Sequence, residues 1–197
     1  MLGFHGTDED TVKTILNDPK KHLDESANGY DWLGNGIYFW ENDPERALAF
    51  CKERFKFKKI SDKKPAVIGA VIDLGLCLNL FDQPALIELK EAYTEFSLDM
   101  AATGTLMPVN EGSTQDRLYR YLDRAVIQHL HRLRLESAVT PAYETVRSGF
   151  HEGKEVYEGS GFKTKNHIQI AVREKSCIKG YFLPRKADGK WDISELV

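Results

Sequence analysis

The chain has 197 residues, of which 42% are hydrophobic and 29% are charged, and its formal net charge is −3 at pH 7. This length suits one domain of ordinary size that carries at most one sizeable insertion, and the composition is typical of a soluble globular protein. The acidic balance excludes a global attraction to nucleic acid or to an anionic membrane, so any such contact would need a local patch.

The cysteines and the N-terminal sequence predict a reduced, cytoplasmic type of protein. Cys51, Cys77 and Cys177 are scattered, odd in number and without C-x-x-C spacing, which predicts neither a disulfide framework nor a zinc or other metal site. The N-terminal MLGFHGT has no basic segment before an apolar run, so no signal peptide is expected. No apolar stretch approaches the roughly 20 residues that a membrane span needs. We therefore expect no membrane contact, although a protein delivered elsewhere by a dedicated machine would look the same.

Short strands and amphipathic helices are predicted to alternate in the first half of the chain. Residues 1–5 alternate weakly and predict a strand, and an acidic turn at residues 8–10 begins a helix. Residues 36–40 predict a second strand. The Asp-Pro pair at 43–44 predicts the start of another helix, because aspartate caps helices and proline is favoured at the first helical position. The β-branched run at 66–74 predicts a third strand.

The second half of the chain is predicted to be helical first and rich in strands at its end. Helices are predicted at about 84–102 and at 114–136. Short strands are predicted at 155–157, 168–172 and 178–182. Strands near both ends with helices between them predict an α+β domain and not a doubly wound sheet.

Two basic segments bear on the partners of the protein. The buried stripe of the helix predicted at 114–136 comprises Leu118, Leu122, Val126, Leu130 and Leu133. Its opposite face carries Arg117, Arg120, Arg124, His131 and Arg134. A second basic run occupies residues 54–64. Such segments are usually solvated, but a stripe of one sign also suits a phosphate backbone or an acidic partner.

An aromatic and glycine-rich stretch, YDWLGNGIYFW at residues 30–40, is the most informative part of the sequence. Aromatic side chains alone usually indicate core, and a hairpin whose rings fill the core is one interpretation. Gly34 and Gly36 indicate backbone that turns tightly or approaches another group closely. A flat ligand ring held between an aromatic face and bare backbone would use both properties. The stretch therefore predicts either a core hairpin or a slot for a ring.

Four short motifs follow one another along the chain. They are FHGT at residues 4–7, GNGIYF at 34–39, an apolar strand ending in Leu-Gly at 67–75, and HIQI at 167–170, with a further strand at 178–182. Their order and spacing resemble the ADP-ribosyltransferase superfamily, on its diphtheria-toxin and poly(ADP-ribose)-polymerase branch. That branch has a strand ending in His-Gly-Ser/Thr, then Gly-x-Gly-Ile-Tyr-Phe and a helix, then a strand ending in Leu-Gly, and a late strand with a glutamate.

The resemblance implies a fold and a substrate. The fold would be a split, strongly bent β-sheet core within a single domain spanning residues 1–197. Residues from about 83 to 141 match no motif of the branch and would form a helical insertion. The substrate would be NAD+, which would lie in the split of the sheet.

The resemblance also implies roles for the residues of the first two motifs. His5 would hydrogen-bond a ribose hydroxyl, the Gly6 backbone would pair with the nicotinamide amide, and Thr7 would support it. Tyr38 would stack on the nicotinamide ring, and Gly36 with the aromatic stretch would supply shape and exclude water. A lone histidine at the end of a strand is more often structural, so the role of His5 depends on its partnership with Tyr38.

The late strand departs from the pattern of the branch. The position of the family glutamate is predicted to hold Gln169, which can hydrogen-bond a ribose hydroxyl but offers no negative charge to an oxocarbenium-like sugar. Glu152 or Glu158 would be the alternative carboxylate, and Arg147 would hold a diphosphate or the acceptor. A surface ion pair is the competing interpretation of Glu152 and Arg147.

The helix after Tyr38 departs from the branch as well. Ala49 or Phe50 falls where the family has a second tyrosine, and Arg46 falls where a serine often contacts the nicotinamide amide. Phe50 or Trp40 would then close the slot for the ring. His167 shares a face of its strand with Gln169, so it is predicted to be either a site residue or a buried hydrogen-bonding group.

Three functions are consistent with these residues. The leading prediction is an NAD+-dependent mono-ADP-ribosyltransferase, toxin-like or defence-like in size, which modifies a nucleic acid or a protein. An antitoxin or inhibitor protein would be a further partner. The first alternative is a non-catalytic module that binds ADP-ribose, NAD+ or a protein, for which Gln169 is the best support. The second alternative is an NAD+ glycohydrolase, with water as the acceptor.

Overall fold

Seven strands form one sheet with four α-helices around it, in a computed structural model that describes residues 1–112 and 117–185. The α+β class predicted from the sequence is therefore confirmed. In chain order the elements are β1 (Leu2–Asp8), α1 (Glu9–Asn17), β2 (Ile37–Glu41), α2 (Pro44–Lys58), β3 (Pro65–Ile72), β4 (Cys77–Asn79), α3 (Gln83–Thr103), α4 (Tyr121–Glu136), β5 (Thr145–Phe150), β6 (His167–Val172), and, after a 3₁₀ turn at Lys175–Cys177, β7 (Ile178–Phe182).

The first two helices begin where the sequence predicts, because each has an aspartate cap. Asp8 Oδ1 accepts a hydrogen bond from the backbone N–H of Thr11 at 3.0 Å, and Asp43 Oδ1 accepts one from the N–H of Arg46 at 2.8 Å. These carboxylates satisfy amides that have no partner inside the helix. Helix α2 therefore has a fixed start directly after β2.

The sheet is divided between β1 and β2. The strand order is β4-β5-β6-β2-β1-β3-β7, and neighbouring strands are antiparallel except for β4 and β5. Strand β1 is paired with β3 along its whole length, but the register between β1 and β2 consists of Gly3 with Glu41 and Phe4 with Trp40. Beyond Phe4 the ladder stops, which separates a three-stranded part (β1, β3, β7) from a four-stranded part (β2, β4, β5, β6).

The two faces of the sheet bury different apolar clusters. On one face α1 contributes Val12 and Ile15 to a core that includes Phe39 and Ile170. The other face is covered by α2, α3 and α4. There Ala47 of α2 packs with Phe4 and Trp40, and the other two helices contribute Ala92, Val126, Ile127 and Leu130 to the core.

Helices α3 and α4 form the connection between the parallel strands β4 and β5. Parallel neighbours need a crossover of a dozen or more residues, because the chain must return to the same end of the sheet. The two helices lie within the segment interpreted from the sequence as an insertion, and they pack against each other. The prediction of a helix at about 84–102 is confirmed by α3.

The helix predicted at 114–136 begins later than expected. Residues 114–116 lie outside the described part of the chain, and residues 117–120 are not helical: Arg117 has φ = 45°, and Tyr119 pairs with Glu111. The side chain of Asn110 caps α4, with Oδ1 accepting from the Leu122 N–H at 2.9 Å. The prediction failed because this cap comes from a distant segment.

The predicted faces of this helix also need correction. Leu118, expected in the buried stripe, precedes the helix and is 40% exposed. His131, expected on a solvated basic face, is 3% exposed, and Arg134 is paired with Glu88 at 2.6 Å. Arg117 and Arg120 are not in the helix. The face is therefore not a continuous solvated stripe of positive charge.

One predicted strand is absent from the described structure, and two strands that form were not predicted. Strands β4 and β5 were not predicted: β4 has three residues, too few for a periodic signal, and β5 contains Ser148 and Gly149, which are unusual in strands. Strand β5 is held by pairing with β4 and β6 on its two sides. At 155–157, where a strand was expected, the structure has a single bridge from Glu155 to Lys163.

Candidate active site

The strands that carry the His-Gly-Thr motif, the Gly-Ile-Tyr-Phe motif and the late HIQI motif are neighbours in the sheet, in the order β1, β2, β6. Tyr38 is in register with Ala171, and Trp40 is in register with Gln169. Side chains of paired residues lie on the same face of a sheet. Motifs more than a hundred residues apart in the sequence therefore meet around β2.

His5 lies where β1 and β2 separate. Its ring packs edge-on against Phe39 at 6.0 Å between centroids, and Nδ1 lies 2.6 Å from the carbonyl oxygen of Tyr38, to which it donates. Burial lowers the pKa of His5 to about 4, despite the opposing effect of this hydrogen bond. A neutral imidazole thus joins the two parts of the sheet.

The side chains of His5 and Tyr38 do not come together. His5 is on the Phe39 side of β2, and Tyr38, the residue before Phe39, points to the opposite face. The Tyr38 hydroxyl donates to the carbonyl of Gly34 at 2.7 Å and accepts from the N–H of Leu33 at 2.9 Å. Burial raises the pKa of Tyr38. In this structure Tyr38 anchors the loop before β2.

The predicted glycine and threonine positions are in close backbone contacts. A Cβ at Gly6 would overlap the carbonyl oxygen of Ala47, and the thiol of Cys51 donates to the carbonyl of Thr7 at 3.1 Å. Gly36 exchanges backbone hydrogen bonds with Ser26 at 2.8 and 3.1 Å. These contacts fix α2 against β1 and close the loop that leads into β2.

Five predicted site residues gather on the face that α2 covers. Arg46 Nη2 donates to Glu152 Oε2 at 3.2 Å, and the same oxygen lies 3.9 Å from His167 Nδ1. The guanidinium of Arg46 lies 6.0 Å from the ring centroid of Phe50, which is 4.9 Å from the ring of Trp40. We call Trp40, Arg46, Phe50, Glu152 and His167 the Arg46–Glu152 cluster.

Several polar atoms of this cluster are buried without a hydrogen-bond partner in the part of the chain that the structure describes. They are Trp40 Nε1, Arg46 Nε and Nη1, and His167 Nε2. The Arg46 and Glu152 side chains are 8% and 16% exposed, respectively. Buried polar groups in proteins are normally hydrogen-bonded, so a concentration of unsatisfied ones marks a place where a ligand or water is bound.

His167 is the most enclosed member of the Arg46–Glu152 cluster, with a side chain 1% exposed. Its Nδ1 donates to the carbonyl oxygen of Lys165 at 2.6 Å, which leaves the unpartnered Nε2 with a lone pair. Burial is the main cause that lowers the pKa of His167, and the charge of Arg46 acts in the same direction. The neutral ring could accept a proton at Nε2.

Gln169 lies beside this cluster. It is in register with Trp40 on one side and with Ser148 on the other, and by strand alternation its side chain shares a face with that of His167. Its side chain makes no hydrogen bond with the described residues. The amide is therefore available to a ligand on the same face.

A cavity of about 650 Å³ opens on this face, between β5, α3 and α4. Its walls include Trp32, Ser148 and Phe150. The ring centroid of His167 lies 5.5 Å from that of Phe150 and 6.4 Å from that of Trp32. A volume of this size suits a small-molecule ligand. The cavity adjoins the Arg46–Glu152 cluster across His167.

Arg147 lies apart from these residues. Its guanidinium makes two hydrogen bonds to Glu41, at 2.6 and 3.1 Å, one to Asn79 at 3.2 Å, and covers the ring of Phe81 at 4.9 Å. Because Arg147 alternates with Val146 and Ser148 along β5, it points away from the cavity. Arg147 and Glu152 each have an ion-pair partner, but they are not paired with each other.

Two residues next to the cluster were not singled out from the sequence. Trp32 was counted only as part of the aromatic stretch, and Phe150 belongs to the strand that was not predicted. A strand assignment for Thr145–Phe150 would have put Phe150 beside His167, with which it is in register.

No group of three or more histidine, cysteine or acidic side chains suited to a metal is present in residues 1–112 and 117–185. Within the same ranges no helix is both long enough and apolar enough to cross a bilayer. The side chains of the Arg46–Glu152 cluster and its neighbour Gln169 supply a carboxylate, a guanidinium, an imidazole, an amide and aromatic rings.

Comparisons with models of protein families, with curated proteins and with solved structures gave no match to this chain. The arrangement of its own residues therefore carries the functional assignment.

Proposed function

We propose that the protein is an NAD+-dependent mono-ADP-ribosyltransferase built on the ADP-ribosyltransferase fold. The observation that carries the proposal is the Arg46–Glu152 cluster, in which a partly buried carboxylate, a guanidinium and a neutral imidazole meet beside the motif-bearing strands. The division of the sheet between β1 and β2 supports the fold, because the branch that the motifs resemble has a split sheet.

Catalysis of this reaction requires a lower barrier to the cleavage of one bond. The bond between ribose C1′ and the nicotinamide nitrogen breaks, and its electron pair goes to that nitrogen, which loses its positive charge. The ribose then carries the positive charge as an oxocarbenium-like sugar. The acceptor forms a new bond to C1′ and gives up a proton. A negative charge near C1′ and a group that accepts the proton both lower the barrier.

In this proposal Glu152 supplies the negative charge. Arg46 holds the carboxylate in place at 3.2 Å, and the enclosing rings exclude water, which strengthens its effect on a nearby cation. His167 accepts the proton at Nε2, and Gln169 hydrogen-bonds a ribose hydroxyl. The rings of Trp40 and Phe50 hold the nicotinamide, while His5 ties β1 to β2 and Tyr38 anchors the loop before β2.

The proposal is tested by incubating purified protein with NAD+ labelled in its ADP-ribose part, together with a cell extract. We expect release of nicotinamide and transfer of label to a macromolecule, and digestion with protease, RNase or DNase identifies the acceptor class. Glu152→Gln should reduce both signals by about 10²-fold or more, because it removes a charge that stabilises the transition state.

The matched control is Glu155→Gln, which changes an exposed carboxylate of the same loop and should retain activity. A larger loss in Gln169→Ala than in Glu152→Gln would assign the position facing the cation to Gln169. Nicotinamide release without transfer of label would identify an NAD+ glycohydrolase. No release at all, with NAD+ or ADP-ribose still bound, would identify a non-catalytic binding module, the second candidate that Gln169 supports.

A further inference from the structure

Two arginine side chains beside the loop before β2 have no carboxylate partner among the described residues. Arg124 of α4 donates from Nη2 to Asn35 Oδ1 at 2.8 Å, and Arg173, directly after β6, donates from Nη1 to Gln128 Oε1 at 3.4 Å. In both guanidinium groups Nε is buried and unpartnered. Because a buried guanidinium N–H without an acceptor is costly, this arrangement indicates acceptor oxygens supplied by a bound anion.

The two arginines belong to one hydrogen-bond network. Gln128 Oε1 also accepts from the backbone N–H of Asn35 at 3.2 Å, so Gln128 and Asn35 hold both guanidinium groups against the same loop. Two carboxylates of the region are engaged elsewhere: Glu25 pairs with Lys175 at 3.2 Å, and Asp31 accepts hydrogen bonds from Asn28. The charge of Glu25 still acts on Arg173 and partly offsets the effect of burial on its pKa. Among residues 1–112 and 117–185, however, neither arginine has a carboxylate within ion-pairing distance.

Three tyrosine rings cluster at the start of α4, the helix that carries Arg124. The centroids of Tyr30 and Tyr119 are 5.4 Å apart at an interplanar angle of 86°, and Tyr119 and Tyr121 are 6.3 Å apart with nearly parallel rings at 12°. Tyr30 and Tyr119 are 39% and 45% exposed. Exposed aromatic clusters are unusual on soluble proteins and commonly mark binding surfaces.

Helix α4 carries one of the rings, Tyr121, and one of the charges, Arg124. Tyr121 and Arg124 are three residues apart, and Gln128 follows four residues later, so these side chains are neighbours on one helix face. The indole N–H of Trp32 donates to the carbonyl of Leu118 at 2.9 Å, which joins the loops of Tyr30 and Tyr119 next to the cavity. The surface therefore borders the candidate active site.

We propose that the surface formed by Tyr30, Tyr119, Tyr121, Arg124 and Arg173 binds single-stranded nucleic acid. Unpaired bases stack on tyrosine rings, and phosphates accept hydrogen bonds from the two guanidinium groups. An acidic peptide would use the arginines but not the rings, and a duplex keeps its base faces covered. The role of the strand as the ADP-ribose acceptor rests on the transferase proposed above, whereas its binding does not.

The test is fluorescence anisotropy with a labelled 12-nucleotide single strand of RNA or DNA, in the absence of NAD+. We expect binding by the wild-type protein, and a loss of roughly fivefold or more in affinity for the double variant Tyr30→Leu/Tyr119→Leu. Arg124→Gln and Arg173→Gln should each weaken binding and lower the slope of log K against log salt by about 0.7.

Matched controls separate this surface from general effects of charge or aromaticity. Arg132→Gln removes a guanidinium of α4 that pairs with Asp99 at 3.3 Å, and Tyr157→Leu removes an exposed tyrosine of another loop. Both should bind within about twofold of the wild-type protein. An oligonucleotide that does not bind, tyrosine variants that bind as well as the wild type, or equal affinity for duplex and single strand would each overturn the proposal.

The binding assay and the nicotinamide assay test the two proposals separately, so that either proposal can be contradicted without the other. A protein that binds the single strand but releases no nicotinamide would contradict the transferase and leave this surface assigned. A protein that releases nicotinamide and labels protein, but does not bind the strand, would overturn the surface and leave the transferase.

Discussion

His131 is a buried histidine whose two ring nitrogens have no hydrogen-bond partner within residues 1–112 and 117–185. Burial lowers its pKa to about 3, and the positive charges of Arg173 and Arg134 act in the same direction. In the unfolded chain the same residue binds a proton below about pH 6.5. The unfolded state therefore binds more protons between these two values, and the stability of the folded protein falls as the pH decreases across that interval.

We expect His131→Leu to reduce this sensitivity to acid. Between pH 7 and pH 5 the wild-type protein should lose about 2 kcal/mol of unfolding free energy through His131, and the variant should lose that much less. Urea unfolding at the two pH values measures the difference. The exposed His151, changed to Asn, is the control for the removal of a histidine. Equal losses in wild type and His131→Leu would show that the folded protein protonates this residue without cost.

At the residue scale the sequence predicted members of the candidate site better than their contacts. Trp40, Arg46, Phe50, Glu152 and His167 were all named from the sequence, and they meet in the structure. The hydrogen bond between Arg46 and Glu152 joins residues 106 positions apart, and no local pattern encodes such a pair. The opposite directions of His5 and Tyr38 depend on where β1 and β2 separate, which is a property of the assembled sheet.

At the scale of single elements, helix α2 can pack closely against β1 because Gly6 has no side chain. A Cβ there would overlap the carbonyl oxygen of Ala47 and lie 2.8 Å from Cys51 Cβ. Backbone cannot yield as the end of a side chain can, so the helix itself would have to move. Arg46, the neighbour of Ala47, would move with it and away from Glu152.

We therefore expect Gly6→Ala to lower the unfolding free energy by about 3 kcal/mol and to reduce activity further by displacing Arg46. Urea unfolding and nicotinamide release measure the two effects. The control is Gly180→Ala in β7, where an added Cβ meets no atom within 4 Å. Its stability should stay within about 0.5 kcal/mol of the wild type. A stable and active Gly6→Ala protein would contradict the close packing of α2 on β1.

Elements with a local signal were predicted, and elements fixed by distant partners were not. The Asp-Pro start of α2 and the β-branched run of β3 are encoded within a few residues, and both elements appear as expected. The start of α4 depends on Asn110, eleven residues before Tyr121. Strand β5 depends on pairing with β4 and β6, so its own sequence, TVRSGF, carries little strand preference.

At the scale of the whole molecule, one polar network ties the two helices of the crossover to the sheet. Arg134 of α4 makes two hydrogen bonds to Glu88 of α3, at 2.6 and 3.0 Å, and one to Tyr143 at 2.9 Å, just before β5. Its guanidinium also lies 3.8 Å from the centroid of the Tyr143 ring. Burial opposes ionisation of Glu88, but the hydrogen bonds from Arg134 and Tyr143 outweigh it and lower the pKa of Glu88.

We expect the helices and the sheet to unfold together because of this network. Glu88→Gln should lower the unfolding free energy by about 2 kcal/mol, since it leaves Arg134 partly buried without its charged partner. The unfolding midpoints measured by far-UV circular dichroism and by tryptophan fluorescence should both decrease, and by the same amount. A Trp191→Phe background restricts fluorescence to Trp32 and Trp40. Glu91→Gln, on the exposed side of α3, is the control. A loss of helical signal at a lower urea concentration than the change in fluorescence would contradict a single cooperative unit.

The parallel pairing of β4 with β5 limits how this protein can be shortened. Residues 83–141 have the position of an insertion in the sequence, yet they connect the parallel strands β4 and β5 and return the chain to the same end of the sheet. A tight turn in their place could join the two strands only in antiparallel orientation, and a reversed β5 would lose its antiparallel pairing with β6, which positions Ser148 and Phe150. Variation in the length of this segment is therefore expected within its loops, whereas its complete excision would dismantle one wall of the cavity.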